Sequence, residues 1–290
     1  MEASTSTPAP TESWIDRRSP VSASQKYDLS FYEGTAWYYA RYRPPYPRAL
    51  VTVLAEKFGL DGTGRLLDLG CGTGPVALAL AHLFDKIVAM DPDDEMRAEG
   101  ERIARERGIA NIEWRFGGSI DLSPTLGQFR LVTMGNSFHW MDRAGTLDAL
   151  YDLVRDGGGI AVVGEGAPIP PPQMTRWRAA INTVLKTYLG HRPLPWESPG
   201  PPILAERHET YIARSRFKDL ASYQESFDVE WTIESMIGNL YSTSFCSRRV
   251  LGDRVDAFER DLRAAILAVE PSGILKGEPP EFFAYVAWKR

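Results

Sequence analysis

Cysteine and histidine are scarce in this chain, with two and four residues respectively among 290. Cys71 and Cys246 cannot build a disulfide framework, which fits a reducing, cytoplasmic compartment. The histidines, His82, His139, His191 and His208, form no close ligand spacing with Cys or Asp, so no protein-held structural metal is expected. A basic excess is also missing: 33 Lys and Arg stand against 38 Asp and Glu, a net charge of -5. The arginine pairs Arg17-Arg18 and Arg248-Arg249 are too short to make the basic face that nucleic acid needs. No segment approaches the ~18 consecutive apolar residues of a membrane span. The opening MEASTSTPAPTES lacks the apolar core of a signal peptide. Its Ser, Thr and Pro content reads as a disordered tail over residues 1–20. No internal repeat is present.

The most informative stretch is LLDLGCGTG, Leu66 to Gly74. An apolar run ends on an acid, Asp68, and glycines follow at every second position: Gly70, Gly72 and Gly74. Leu66, Leu67 and Leu69 suit a buried parallel strand. The glycines allow a tight turn and leave no side chain between backbone and ligand. Pro75 to Phe84 then reads as a helix with proline in its tolerated first turn. A second apolar run, KIVAMD, closes on Asp91, near the ~20-residue spacing of a carboxylate that takes ribose hydroxyls. A dinucleotide site usually shows G-x-G-x-x-G. Here the pattern starts with an acid, which sits badly beside a pyrophosphate but suits an ammonium group or bound water. A nicotinamide oxidoreductase is therefore disfavoured.

These segments resemble class I S-adenosylmethionine-dependent methyltransferases of the small-molecule, bacterial biosynthetic type, in particular the methyltransferase type 11-like branch. LLDLGCGTG resembles the family's first motif and AMDPDDEM (89–96) its second. FGGSIDL (116–122) resembles the adenine loop, LVTMGNSFHWMD (131–142) the motif after strand four, and GGGIAVVG (157–164) the fifth strand. YARYRPPYP (39–47) resembles the lead-in of one branch. The resemblance implies S-adenosylmethionine as cofactor, held by Asp68, Gly70, Cys71, Gly72, Gly74, Asp91, Pro92, Met96, Ser119, Ile120 and Asn136. It also implies a Rossmann-like α/β fold: a doubly wound, seven-stranded sheet, mostly parallel with an antiparallel end.

Beyond the motifs, strands alternate with helices: strands are expected at 112–116, 129–134 and 160–164, and helices at 47–58, about 93–107 and about 145–154. Residues 21–63 read as a helical, aromatic cap, 64–165 as the cofactor core and 166–220 as a proline-rich lid. Within that lid, helices are expected at 175–189 and about 202–215. Residues 221–290 complete the sheet, with strands at 223–232 and 282–289 around a helix at 255–269. The last strand is read as an edge or hairpin strand.

Methyl transfer from a sulfonium is an in-line displacement, so positioning can carry most of the catalysis. A base is needed only if the acceptor must lose a proton. His139, after strand four, and Glu165, after strand five, are the candidate bases, set against structural or loop-capping roles for each. Tyr27, Tyr38, Trp140, Trp177, His191 and Trp196 are candidate acceptor contacts, with core packing the competing explanation. The acceptor is read as a small, apolar or aromatic metabolite, in natural-product-type biosynthesis, and the protein as a monomer or homodimer. Two other functions use the same cofactor fold: a cyclase or isomerase exploiting the sulfonium charge, and a non-catalytic ligand-binding protein. Labelled cofactor and candidate acceptors, followed by mass spectrometry, separate them.

Overall fold

The structure is a computed structural model that describes residues 32–166, 174–190, 207–226, 229–277, 279 and 281–290. The expected tail at 1–20 and the candidate contacts Tyr27, His191 and Trp196 lie outside the described residues.

Helices α1 (Ala36–Tyr42) and α2 (Arg48–Phe58) precede the sheet. Gly59 stops α2 in the left-handed conformation, at φ 56°. The core then alternates: β1 (Arg65–Leu69), α3 (Pro75–Leu80), β2 (Lys86–Asp91), α4 (Asp94–Glu106), β3 (Ile112–Phe116), β4 (Phe129–Gly135), α5 (Arg143–Leu153) and β5 (Val154–Gly166). α6 (Arg176–Leu189), α7 (His208–Arg214), β6 (Lys218–Ser226), β7 (Trp231–Thr232), α8 (Ile233–Tyr241), α9 (Arg248–Leu251), α10 (Val255–Val269), β8 (Ile274–Leu275) and β9 (Glu281–Trp288) follow.

The main sheet has seven strands in the order β3-β2-β1-β4-β5-β9-β6. Pairs among β1 to β5 are parallel, and β9 runs antiparallel between β5 and β6. The strand order reverses at β1 and β4, which opens a crevice at the carboxyl ends of those strands. Side-chain alternation splits the core into two faces. Leu66, Leu131 and Ala161 pack with Leu54 and Phe58 of α2 and Val76 of α3. Leu67, Leu69, Val132, Met134 and Ile160 pack on the other side with Leu147 and Leu150 of α5.

Four expectations are corrected. The last strand is interior, not an edge: β9 takes hydrogen bonds from both β5 and β6, and its Ala284, Val286 and Ala287 are buried. The expected strand 223–232 is two elements, because β6 ends at Ser226 and β7 pairs with β8 in a separate two-stranded ribbon. The helical layer reaches beyond 166–220: α6 packs with α8, α10 and the ribbon through Ile181, Leu185, Ile237, Leu240, Phe258, Leu262 and Leu275. Trp177, expected against the acceptor, belongs to this core; it is buried, and its indole N–H donates to the Lys276 carbonyl.

α1 is joined to this layer through close contact. A Cβ on Gly238 of α8 would meet the Tyr42 ring at 2.3 Å, and the Tyr38 and Tyr241 rings meet edge to face at 5.3 Å. The aromatic cap thus spans from the helical layer to the sheet.

Candidate functional site

The β1–α3 turn places three glycines at positive φ: Gly70 at 67°, Gly72 at 54° and Gly74 at 75°. Their surroundings differ. A Cβ on Gly70 would strike Ser137, and one on Gly74 would meet the Trp114 ring at 2.4 Å. A Cβ on Gly72 would meet nothing within 4 Å. Two glycines therefore serve packing, and the middle one faces open space. Cys71 is buried in the turn, and burial pushes its thiol well above the ordinary range. It is not a nucleophile at neutral pH.

Asp68 sits at the end of β1, fully buried, beside Thr133 of β4 in register. Its Oδ1 accepts from the Thr133 hydroxyl at 2.7 Å and its Oδ2 from the Ala77 N–H at 3.1 Å. The sequence expectation put this carboxylate against a ligand ammonium. In the structure both oxygens are already engaged: Oδ1 joins β1 to β4, and Oδ2 holds the first turn of α3 to the sheet. Burial raises the group to about 7, and its hydrogen bonds offset part of that.

Asp91 ends β2. Its Oδ2 accepts from the Gly72 N–H at 2.8 Å and its Oδ1 from the Asp93 N–H at 2.9 Å. Each oxygen keeps a lone pair, and the carboxylate lies beside the open face of Gly72. Burial raises it to about 6. Pro92 leads into Asp93, which caps α4 by accepting from the Met96 N–H at 3.1 Å. Met96 is buried below this cap.

Beyond β3, a short turn at Ser119–Asp121 is tied by Asp121 Oδ2 accepting from the Gly118 N–H at 2.9 Å. Phe116 and Ile120 are left exposed, at 42% and 57%. Phe116 stands in register with Asp91 across β2 and β3, and the Arg97 guanidinium lies 5.3 Å over its ring. Phe116 and Asp121 were not singled out from sequence, although both lie in the FGGSIDL segment.

The loop after β4 starts with Asn136 at φ 50°. Its N–H donates to the Val163 carbonyl at 2.9 Å, and its side-chain oxygen accepts from the Glu165 N–H at 3.0 Å. Asn136 therefore staples the ends of β4 and β5. Ser137 donates to the Leu69 carbonyl at 2.8 Å, which joins this loop to the glycine turn.

The two candidate bases stand in different surroundings. Glu165 is half-buried, raised by burial, and feels the charges of Arg43 and Arg178. Tyr39 and Tyr46 share its field: the acids acting on both phenols include Asp68 and Glu165, and on Tyr39 also Asp91. Arg43 lies 5.2 Å over the Tyr39 ring and donates to the Ser242 hydroxyl at 2.9 Å. A Cβ on Gly135, at the end of β4, would stand 2.9 Å from the Tyr46 hydroxyl. The cap thus brings Tyr39, Arg43 and Tyr46 over the strand ends that carry Asp68, Asp91 and Glu165. Each of the three lies in the YARYRPPYP segment, part of the aromatic stretch 27–47 whose sequence reads as a flap over the cofactor or as core packing, but none was singled out there as a site residue.

His139 belongs to a separate group. Its ring lies 6.4 Å from that of His208 in a near-parallel stack and 5.2 Å from Trp140. Burial and the Arg143 charge lower it to about 4, and His208 likewise to about 4. His139 is therefore neutral at pH 7 but weakly basic. Trp140 is 58% exposed and meets Tyr32 edge to face at 6.0 Å. Tyr38 packs against Trp37, Tyr42 and Tyr241 inside the cap. Among the described residues no group of three or more His, Cys, Asp or Glu could hold a metal ion. No described helix is long and apolar enough to cross a membrane.

Comparison with known proteins agrees with this geometry. Residues 66–158 match the family model described as a methyltransferase domain. An uncharacterized methyltransferase of Schizosaccharomyces pombe is 25% identical over 126 residues, 43% of this chain and 48% of that protein. A Saccharomyces cerevisiae protein named as a probable S-adenosylmethionine-dependent methyltransferase is 26% identical over 126 residues, 43% of each. The matched stretch thus spans less than half the length of either relative. Among solved structures, a candidate type II methyltransferase of Anaeromyxobacter dehalogenans superposes with a TM-score of 0.54 at 22% identity. That superposition covers 84% of this chain and 95% of the other, and it shows a common fold. Residues 66–158, which carry the glycine turn and lie within the seven-stranded sheet, accordingly match a methyltransferase domain.

Proposed function

We propose that this protein binds S-adenosylmethionine against the β1–α3 turn and transfers its methyl group to a small-molecule acceptor. The observation that carries the reading is the Gly72–Asp91 pair. The one turn glycine with open space on its Cβ side donates its N–H to the carboxylate that would take the ribose hydroxyls. The residues present suit the cofactor: a free lone pair on each Asp91 oxygen, and the exposed apolar side chains of Phe116 and Ile120 beyond β3 for the adenine.

When bound, the cofactor supplies a methyl group on a sulfonium whose departure leaves a neutral thioether. The chain's own contribution is positioning and charge. Tyr39 and Tyr46 stay protonated, because burial raises both phenols. They can donate hydrogen bonds to ligand and turn electron-rich rings toward a cation. Arg43 offers a charge for a ligand carboxylate.

Where the acceptor must lose a proton, Glu165 is the better base. Burial strengthens its hold on a proton, and it shares a field with Tyr39, Tyr46 and Asp68. His139 at about 4 gains little by accepting one. Its place beside His208 and Trp140 suits an acceptor wall. Glu165→Gln should then lower turnover by ~10²–10⁴-fold with cofactor affinity kept. The direct test is incubation with methyl-labelled cofactor and a panel of small hydroxyl, amine and carboxyl compounds, read by mass spectrometry. Absence of cofactor binding by calorimetry refutes the reading outright.

A further inference from the structure

Helix α1 is held along two seams of opposite character. Its seam with α8 is close-packed. A Cβ on Gly238 would meet the Tyr42 ring at 2.3 Å, the Tyr38 and Tyr241 rings meet at 5.3 Å, and Tyr38 packs against the apolar cluster of the helical layer. Its seam with α4 is polar and hollow. The N–H of Gly34, just before α1, donates to Glu95 Oε2 at 2.8 Å, and Arg41 Nη1 donates to Glu99 Oε1 at 2.8 Å. Beside these contacts lies an open cavity of about 430 Å³, lined by Ala36 and Trp37 of α1 and Ala98 of α4.

The two seams differ in what separation costs. Parting α1 from α8 would expose aromatic rings to water. Parting α1 from α4 exchanges two partly exposed hydrogen bonds for bonds to water, at a small net cost. The charges left behind keep partners. Arg102 donates to both oxygens of Glu99, through Nε at 2.9 Å and Nη2 at 2.8 Å. Arg41 keeps the Trp37 ring, 4.2 Å from its guanidinium.

The α4 seam also borders the cofactor turn. Glu95 stands in the first turn of α4, capped by Asp93, whose N–H donates to Asp91 Oδ1 at 2.9 Å. Gly100, next to Glu99, lies so close to the glycine turn that a Cβ there would stand 2.8 Å from the Thr73 carbonyl oxygen. The helix that receives the Gly34 and Arg41 contacts is therefore the one that packs on Thr73, between Gly72 and Gly74.

We propose that the α1–α4 seam is the gate of the cofactor site: α1 stays with α8 and parts from α4 to admit or release S-adenosylmethionine, with Arg41–Glu99 and Gly34–Glu95 as its latch. This rests on the cofactor reading above and adds to it the contacts that set the rate of exchange. In a gated site the latch holds the free and the loaded protein closed alike. Weakening it speeds entry and exit together and leaves affinity unchanged, because no state gains differential affinity. A fixed cover behaves differently: its loss speeds exit alone and weakens binding in proportion.

The test is surface plasmon resonance of the immobilised full chain with S-adenosylhomocysteine, with affinity checked by calorimetry. Arg41→Met and Glu99→Ala should each raise the association and dissociation rate constants by the same factor, about two- to tenfold, the worth of one net hydrogen bond. The dissociation constant should not change. Glu101→Gln, which disrupts an exposed pair with Arg105 elsewhere on α4, should leave both rates as in the wild type. Melting temperatures report the fold of each variant, and Glu99→Gln, which keeps the side-chain shape, stands in if Glu99→Ala proves unstable. Unchanged rates in both latch variants overturn the proposal. So does faster dissociation alone with affinity weakened in proportion, which would make the contacts a fixed cover. A wild type that fails to bind S-adenosylhomocysteine sinks the cofactor reading itself, a failure distinct from either of these.

Discussion

Replacing Asp91 with alanine tests the cofactor site most directly. The carboxylate is 9% exposed and is held by two backbone N–H groups, from Gly72 and Asp93. Those bonds fix its orientation and leave a lone pair on each oxygen. A hydrogen bond to a charged group contributes ~1.5–3 kcal/mol. Losing it should weaken S-adenosylmethionine binding about 10- to 150-fold. The same group predicts a pH dependence. Burial raises Asp91 to about 6, and the ribose hydroxyls need the ionised form as acceptor. Affinity should therefore be full above pH 7 and fall as pH drops through 6, by about tenfold at pH 5. Isothermal titration calorimetry at pH 5, 6, 7 and 8 measures both effects. In Asp91→Ala the limb centred near 6 should disappear. If the variant binds as tightly as the wild type, or the wild type shows no loss between pH 7 and 5, the ribose does not sit on Asp91.

Other outcomes follow from the same geometry. Gly72→Val should abolish cofactor binding while leaving the far-ultraviolet circular dichroism intact, because the added side chain enters open space at a φ of 54°. Gly74→Ala should instead lower the melting temperature, since its Cβ would meet the Trp114 ring at 2.4 Å with φ at 75°. His139 and His208 titrate as a buried pair lowered to about 4, so their contribution to stability is complete above pH 6.5 and is lost as pH falls toward 4. At most about 3 kcal/mol per histidine is at stake. Asp68, raised to about 7, acts in the opposite sense: the native state holds a proton that the unfolded chain has released, so its stabilising contribution fades as pH rises from about 4 through 7. Denaturant melts of wild type and of His139→Gln with His208→Gln, between pH 4 and 7, isolate the histidine part. A double variant whose acid-side loss matches the wild type would show that the pair does not titrate as described.

The local code of this chain was strong where one segment decides its own structure. Leu66 to Gly74 combines an apolar strand, a terminal acid and three glycines that only a tight turn accommodates, so strand, turn and ligand edge could be read together. The helix at Val255–Val269 and the strand at Ile112–Phe116 emerged with those same limits because their periodicity is local. Long-range contacts determined the rest. β9 looks like a terminal hairpin by pattern, and only pairing with both β5 and β6 makes it interior. Trp177 looks like a pocket aromatic until α10 and the β7–β8 ribbon pack on its helix. α8 carries its apolar residues on a face that is meaningful only against α1, α6 and α10, and was not read as a helix. The balance between Glu165 and His139 was a tertiary matter too. Both follow strands at the ligand edge, and a histidine's ordinary pKa favours it as base near neutrality. In the function proposed above that order is reversed, because His139 is buried beside Arg143 and His208 while Glu165 is set among Tyr39, Tyr46 and Arg43. Sequence determines which groups can titrate and which turns can form; burial and neighbouring charge, which exist only once distant segments meet, determine which of those groups can do the chemistry.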